Sequence, residues 1–149
     1  MLTTVKKQDI LKSPCQTLTC PVNTVGVMGA GLARQFKEQL PFVHQEYRKL
    51  HLDGRLDVYK LHTVPLTPIS DDLCLLFPTK HHFRDPSQLR WIDHNLEVLS
   101  SAWEALGIET LAIPPIGCGL GGLDFKTEVF PLLRRYFADH PLAVTIYLP

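Results

Sequence analysis

The sequence predicts an α/β fold in which helices cover both faces of a central sheet of six strands, giving three layers. The sheet is expected to be mixed but mostly parallel. Two observations lead to this prediction. Short apolar runs typical of strands alternate with longer segments whose apolar residues recur at helical spacing. Several of the short runs are almost entirely apolar, as in parallel strands that helices bury on both faces.

The first elements each have a local signal. Leu2–Val5 is short and β-prone, and Cys15–Val22 predicts the second strand. Pro21 lacks the N–H that a ladder needs, so this strand is expected to end there or to bulge. Two helices follow, over Gly31–Gln39 and Pro41–Leu50, the second opened by a proline that suits a first helical turn.

The middle of the chain predicts two strands and the longest helix. Leu56–His62 alternates imperfectly and is assigned as a strand, followed by a proline-containing loop over Thr63–Asp72. The fully apolar run Leu73–Pro78 predicts a buried strand. An apolar stripe at helical spacing predicts a helix over Pro86–Leu106, ended by Gly107.

The last elements repeat the alternation. Ile108–Pro114 predicts a buried strand and Gly117–Leu123 a glycine-rich loop. A helix over Phe125–Ala138 and a closing strand over Ala143–Leu148 complete the pattern. No repeat, linker or low-complexity segment interrupts it, so residues 1–149 are expected to form a single domain. Because the chain ends directly after a strand, it could be the N-terminal domain of a longer protein.

Composition excludes several classes of function. Fifteen Lys and Arg residues balance fifteen Asp and Glu residues, which argues against a broad electrostatic grip on nucleic acid. The balanced charge is still compatible with a local basic patch formed by Lys80, His82, Arg84 and Arg90. The start of the chain does not resemble a signal peptide, and the apolar runs are too short to span a bilayer. The four cysteines form no C-x-x-C pair and are expected to be thiols, which indicates a cytoplasmic protein.

Three stretches of unusual chemistry follow predicted strands. They are Asn23–Ala33, here called the first glycine loop; Thr79–Arg84, the lysine loop; and Pro115–Asp124, the second glycine loop. Ligands of open α/β sheets bind outside the carboxyl ends of the strands, so the three stretches predict one site.

The first glycine loop leads into a helix, whose N-terminal N–H groups favour an anion. Its sequence GAGLAR lacks the third glycine of a dinucleotide-binding loop. A phosphate-contacting loop and an ordinary turn are equally supported by this stretch alone. Asn23 at the strand end could contact a sugar hydroxyl or form an Asx turn.

The second glycine loop has four glycines in six residues, so the two loops could hold a diphosphate between them. Asp124 stands where a helix N-cap is expected, and on sequence alone a cap is favoured over catalysis.

Lys80 could be a nucleophile if it is partly desolvated, or a cation that pairs with phosphate. Asp9 could accept from the amino group of a base or cap a turn. His81 and His82 lack a second ligand at metal-binding spacing, so no metal is expected.

The segments Asp9-Ile10, VNTVGVMGAGLARQF, FPTK and IPPIGCGLGGLDF together resemble the macrodomains, an ADP-ribose-binding family, over essentially the whole chain. Within that family they are most similar to the DarG antitoxins. These enzymes remove ADP-ribose from thymidine in DNA and reverse the DarT toxin, and they are similar to the terminal ADP-ribose protein glycohydrolase of animals.

The resemblance implies a role for each matching residue. Lys80 would be catalytic, attacking or stabilising the anomeric carbon, with Asp124 assisting. Contacts to ADP-ribose are implied for Asp9, Ile10, Asn23, Thr24, Val27, Met28, Gly29, Ala30, Gly31, Leu32, Ala33, Thr79, His81, Pro115, Gly117, Cys118, Gly119, Leu120, Gly121, Gly122 and Leu123. The resemblance implies no metal and no cofactor. Implied partners are ADP-ribose, single-stranded DNA ADP-ribosylated on thymidine, and a cognate DarT-type toxin, but no membrane.

Two other functions fit the same pocket. One is hydrolysis of ADP-ribose esters of protein Glu or Asp, or of O-acetyl-ADP-ribose, since only the leaving group would differ. The other is a reader that binds ADP-ribose without chemistry, against which Lys80 argues. A nicotinamide-dependent oxidoreductase is disfavoured because the dinucleotide fingerprint is incomplete.

Overall fold

The computed structural model describes residues 1–149. Its six strands are β1 (Leu2–Lys6), β2 (Thr17–Asn23), β3 (His62–Pro65), β4 (Leu73–Lys80), β5 (Thr110–Ile113) and β6 (Ala143–Leu148). They form one sheet in the order β1-β6-β5-β2-β4-β3. All neighbouring pairs are parallel except β3 with β4, which is antiparallel. The predicted mixed, mostly parallel six-stranded sheet is confirmed.

Four helices pack in two layers on this sheet: α1 (Gly31–Gln39), α2 (Pro41–Leu52), α3 (Leu89–Ala102) and α4 (Phe130–Phe137). One hydrophobic core joins α1 and α2 to the sheet and contains Phe36 and Tyr47. The other joins α3 and α4 to the opposite face and contains Leu96 and Leu133. None of the helices is long and apolar enough to cross a bilayer.

Alternation along β4 shows why both faces are covered. Leu75 and Phe77 enter the core beneath α3 and α4. Cys74 and Leu76 enter the core beneath α1 and α2. Successive side chains of a strand point to opposite faces, so an apolar run must bury both sets. The three-layer architecture follows directly.

The strand predicted over Leu56–His62 is wrong. Residues 56–61 adopt no strand, and β3 occupies His62–Pro65, so three of its four residues lie in the segment predicted as a loop. β3 pairs with β4 at the edge of the sheet. An edge strand tolerates proline, which explains how Pro65 ends it.

Three predicted helices have different bounds in the structure, and the smallest difference is in α2, which ends at Leu52 rather than Leu50. The long helix begins at Leu89 rather than Pro86 and ends at Ala102 rather than Leu106. The predicted helix over Phe125–Ala138 consists of a π-helical turn, Phe125–Val129, followed by α4.

β2 continues through Pro21 to Asn23, with the irregularity between Val22 and Asn23. It pairs with β5 only at Thr17 and Leu18, whereas it pairs with β4 along its whole length. Beyond Leu18 one edge of β2 is therefore free, and a proline is accommodated where no ladder partner is present. The irregular register places Asn23 opposite Lys80 at the ends of the two strands.

Candidate functional site

A cavity of about 520 Å³ opens beside the carboxyl ends of β2, β4 and β5. This volume is in the range of small-molecule sites. The lining residues come from all three predicted stretches, from the free edge of β2, and from Ser87 and Pro114 beside them: Pro21, Val22, Asn23, Val27, Gly29, Ala30, Gly31, Leu32, Ala33, Thr79, Lys80, Phe83, Ser87, Pro114, Pro115, Gly117, Cys118, Gly119, Leu120 and Gly121.

Asn23 fixes the start of the first glycine loop. Its Oδ1 accepts from the backbone N–H groups of Val25 (3.1 Å) and Val27 (3.3 Å), and its Nδ2 donates to the Val27 carbonyl (2.7 Å). The buried Tyr47 hydroxyl lies 2.7 Å from the Asn23 carbonyl oxygen and 2.9 Å from Oδ1. Asn23 therefore forms the Asx turn that the sequence offered as one of its two roles. Asn23 also lines the cavity, and its contact with a sugar hydroxyl stays a prediction.

The end of the first glycine loop presents a helix N-terminus to the cavity. Ala30 caps α1 with extended backbone and offers no side-chain hydrogen bond to it. The first N–H groups of a helix have no partner within the helix, and its dipole makes them attractive to an anion. Residues 30–33 line the cavity, and no atom lies within 4 Å of where a Gly31 side chain would begin. The free N–H groups and the helix dipole therefore favour an anion at this end of the cavity.

The second glycine loop is packed so tightly at Gly117 and Gly121 that a side chain would not fit at either position. A Cβ on Gly121 would lie 2.2 Å from Ser87 Oγ and 2.4 Å from the Gly117 carbonyl oxygen. Gly117 has a φ of +76°, and a Cβ there would lie 2.7 Å from Ile92 Cδ1. The Ser87 N–H donates to the Gly121 carbonyl (3.0 Å), while the buried Ser87 Oγ has no hydrogen-bond partner.

Lys80 connects two of the three stretches. Its Nζ donates to the carbonyl oxygens of Phe83 (3.3 Å) and Leu120 (3.4 Å), one in the lysine loop and one in the second glycine loop. It makes no ion pair, since the two ion pairs of the chain are Arg34–Glu38 and Lys49–Glu46. Lys80 therefore lines the cavity without a carboxylate partner.

The lysine loop is also tied to the first glycine loop. The Thr24 N–H donates to the His81 carbonyl (3.0 Å), and Thr24 Oγ1 lies 2.6 Å from His81 Nδ1. Thr24 and His81 thus join two walls of the cavity without lining it. Together with the Ser87–Gly121 bond, these contacts hold all three loops in a fixed relation.

Cys118 is the only thiol that lines the cavity. Burial, with further contributions from the carboxylates of Asp124 and Glu128, raises its pKa to about 11. A thiol with so high a pKa is protonated near neutrality and is a weak nucleophile.

Most of the predicted contact residues line the cavity, but several do not: Asp9, Ile10, Thr24, Met28, His81, Gly122, Leu123 and Asp124. Met28 and Ile10 are buried in the core beneath α1 and α2. Asp9 Oδ1 accepts from the Leu11 N–H (3.0 Å) and caps a short 3₁₀ turn over Ile10–Lys12. Its predicted contact with adenine stays a prediction.

Asp124 is exposed and caps the π-helical turn. Its Oδ1 accepts from the N–H and the hydroxyl of Thr127 (2.9 Å each), and its own N–H donates to Glu128 Oε2 (2.7 Å). These reciprocal bonds form a capping box. The hydrogen bonds from Thr127 lower the pKa of Asp124. The cap that the sequence favoured is observed, and a catalytic role for Asp124 stays a prediction.

Sequence reasoning missed five residues of the lining: Pro21, Val22, Phe83, Ser87 and Pro114. Pro21 and Val22 were assigned to a paired strand, and only the short pairing with β5 exposes them. Ser87 was assigned to a helix that begins two residues later. Phe83 lies inside the lysine loop, and an aromatic residue three positions after Lys80 was a signal that could have found it.

Comparison with known proteins identifies the family. The Macro domain family model matches residues 20–129. The chain belongs to the macrodomain family. The macrodomain of Thermus aquaticus DarG has the same fold with a TM-score of 0.90 and 32% identity, over 100% of this chain and 99% of that chain.

Two further relatives belong to longer proteins. A Thermosipho africanus protein described as a DNA ADP-ribosyl transferase–DNA ADP-ribosyl glycohydrolase fusion is 38% identical over 95% of this macrodomain. The structure of Thermosipho africanus DarTG in complex with ADP-ribose superposes with a TM-score of 0.88 and 36% identity, over 99% of this chain and 42% of that one. The chain spans about 40% of the fusion protein's length.

Proposed function

We propose that this macrodomain removes ADP-ribose from thymidine in DNA and so counteracts a DarT-type DNA ADP-ribosyltransferase. The observation that carries the proposal is the position of Lys80. It lies at the end of β4, opposite Asn23, and its Nζ reaches both the lysine loop and the second glycine loop. The names of the DarG relatives support this choice of substrate.

The two glycine loops would hold the diphosphate of ADP-ribose. The uncapped start of α1 offers free N–H groups and the positive end of a helix dipole. The second glycine loop faces it with backbone and little side-chain bulk. A diphosphate fixed between them leaves the distal ribose beside Asn23 and Lys80. Positioning of this kind accounts for much of the rate of such a reaction.

Lys80 would act on the anomeric carbon of the distal ribose. Two N–H groups of Lys80 Nζ donate to the carbonyls of Phe83 and Leu120. The remaining tetrahedral position on the nitrogen holds a proton in the ammonium form and a lone pair in the neutral amine. The neutral amine could form a bond to the carbon while the bond to the base breaks, the base leaving with the electron pair and taking up a proton. Alternatively the ammonium could stabilise the departing charge. Water then releases ADP-ribose.

No other side chain of the cavity offers comparable chemistry. The thiol of Cys118 is protonated near neutrality because its pKa is raised to about 11. Asp124 lies outside the lining of the cavity and accepts hydrogen bonds from Thr127. We assign the reaction to the cytoplasm, where the four unpaired cysteines would persist as thiols.

Replacement of Lys80 tests the proposal. We expect Lys80→Ala to lower ADP-ribose release from an oligonucleotide ADP-ribosylated on thymidine by about 100-fold or more. ADP-ribose binding, measured by calorimetry, should change by less than about threefold, because the loops that hold the diphosphate remain. Lys37→Ala, on the exposed end of α1, is the matched control.

Full residual turnover by Lys80→Ala would refute the assignment of this lysine. The wild-type protein should also be assayed on a protein carrying ADP-ribose on Glu or Asp. Faster release from that substrate would favour the ester hydrolase. ADP-ribose binding without turnover of either substrate would favour a reader.

A further inference from the structure

An exposed aromatic and basic surface lies beside Lys80, and the proposed hydrolysis leaves it unused. Phe83 lines the cavity yet is 43% exposed. The His82 ring lies 4.2 Å from the Phe83 ring, centroid to centroid, at an angle of 30°. Arg84 Cζ lies 5.6 Å from the Phe83 centroid. These three residues are called the mouth platform. Phe83 keeps this exposure despite both contacts, so part of its ring can still meet a planar group at the mouth of the cavity.

Hydrogen bonds connect the backbone of the mouth platform to Lys80. The Arg84 N–H donates to His82 Nδ1 (3.1 Å), and the Asp85 N–H donates to the His82 carbonyl (3.0 Å), which closes a turn. The Phe83 carbonyl accepts from Lys80 Nζ at 3.3 Å. Because these bonds already order the backbone of the surface, binding a ligand there loses less conformational entropy.

Charge indicates what the surface would accept. Arg84 is exposed and forms no ion pair, although Asp85 adjoins it in sequence. A guanidinium without a carboxylate partner is a ready donor to phosphate. Stacking aromatic rings combined with free cations are the features by which proteins bind single-stranded nucleic acid.

We propose that the mouth platform binds the DNA part of the substrate: the base attached to ADP-ribose stacks on Phe83, and Arg84 contacts a neighbouring phosphate. This inference rests on the proposed function. The anomeric carbon must reach Lys80 Nζ, and Phe83 holds that nitrogen through its carbonyl. A base bonded to the carbon therefore lies within reach of the Phe83 ring. Because the face of a base must be free to stack, the substrate is a single strand or an extruded base.

The stacking part is tested with Phe83→Ala. We expect kcat/KM for the ADP-ribosylated thymidine oligonucleotide to fall about tenfold, because stacking on an aromatic side chain contributes on that order per base. ADP-ribose affinity should stay within about twofold of wild type. Phe83→Trp should restore turnover, because tryptophan keeps an aromatic face. Tyr59→Ala is the matched control, since Tyr59 is 47% exposed and lies outside the cavity.

The phosphate part is tested with Arg84→Gln. We expect this variant to reduce the slope of the logarithm of oligonucleotide affinity against the logarithm of salt concentration by about 0.7, as for one lost phosphate contact on a single strand. Binding is measured on the Lys80→Ala background to prevent turnover. Arg134→Gln is the matched control, because Arg134 also lies over an aromatic ring, that of Phe130, but away from the cavity.

Failure of this inference can be told apart from failure of the proposed function. If the wild-type protein releases no ADP-ribose from the oligonucleotide, the proposed function fails and the platform has no DNA to bind. If the wild type is active and Phe83→Ala is equally active, the platform proposal is overturned. An equal loss of free ADP-ribose affinity in Phe83→Ala would also overturn it, because Phe83 would then contact ADP-ribose itself.

Discussion

The two glycine loops face each other across the cavity but are held in different ways. The first depends on side chains: Asn23 bonds along the loop, the Tyr47 hydroxyl from α2 bonds Asn23, and Arg48 Nη1 donates to the Gly26 carbonyl (2.9 Å). The second depends on missing side chains, since Gly117 and Gly121 leave no room for a Cβ. A loop held by side chains can be weakened one hydrogen bond at a time. A loop that is closely packed at two glycines should not tolerate an added atom at either of them.

The largest effect is expected from Gly121→Ala. The added methyl would overlap Ser87 Oγ and the Gly117 carbonyl oxygen, and only the serine can move. We expect a loss of about 2–3 kcal/mol in the free energy of unfolding, as for overpacking. ADP-ribose affinity, measured by calorimetry, should fall at least about tenfold as the loop shifts.

Gly119→Ala is the control within the same loop. No atom lies within 4 Å of its added Cβ, so stability should change by less than about 0.5 kcal/mol. If both alanine variants behave alike, close packing is not what makes the second loop sensitive.

A smaller effect is expected from Tyr47→Phe, which tests the side-chain support of the first loop. The loss of a buried donor to Asn23 should cost about 1–2 kcal/mol in the free energy of unfolding. ADP-ribose binding should weaken because Asn23 and the loop lose their anchor. Chemical denaturation and calorimetry measure the two effects.

Tyr47→Phe should also change how the free energy of unfolding depends on pH. Burial raises the pKa of its hydroxyl above the unfolded value of about 10. Stability from this group is therefore constant below pH 10 and falls above it, where the unfolded chain releases the proton first. Tyr47→Phe should reduce that alkaline decline. Tyr136→Phe is the comparison, since a hydrogen bond to Asp93 raises the Tyr136 pKa to about 12, yet Tyr136 is remote from the loop.

The smallest effect is expected from Asp124→Asn, at the turn that follows the second loop. Asparagine caps helices well, so the bonds from Thr127 should persist and turnover should stay within about threefold of wild type. Asp124→Ala should lower the unfolding midpoint instead. A large loss of turnover in the asparagine variant alone would show that the carboxylate charge takes part in the reaction.

The pKa of Asp124 predicts how the stabilities of wild type and Asp124→Asn differ at acidic pH. The Thr127 hydrogen bonds lower that pKa, so the carboxylate stabilises the fold above its unfolded value of about 3.9. This contribution is lost as the pH falls through the lowered folded pKa. Asp124→Asn should show a shallower loss of stability below pH 4 than wild type.

Some secondary-structure elements could be predicted from the sequence and others could not. Apolar runs such as Leu73–Pro78 were recognised correctly because burial on both faces leaves few polar residues. The strand assigned to Leu56–His62 was wrong because its alternation was weak. The actual strand, β3, exists through antiparallel pairing with β4 rather than through a pattern of its own.

The candidate site shows the same division. The three chemically unusual stretches were recognisable because each follows an apolar run and concentrates glycines or a lysine within a few residues. Pro21 and Val22 were missed because their exposure depends on how soon β5 stops pairing with β2. Leu123 was included on resemblance and Asp9 also on its carboxylate, and the structure places neither on the cavity wall.

The sequence by itself determined the layered α/β architecture, the order of its elements and the three loops that converge on one site, because periodicity and glycine content are local properties. Tertiary structure alone decided that Asn23 lies opposite Lys80 and that Ser87 packs against Gly121. It also brought Lys80 Nζ to Phe83 and Leu120. These contacts join residues on separate elements, and strand register and packing set distances that no local pattern records.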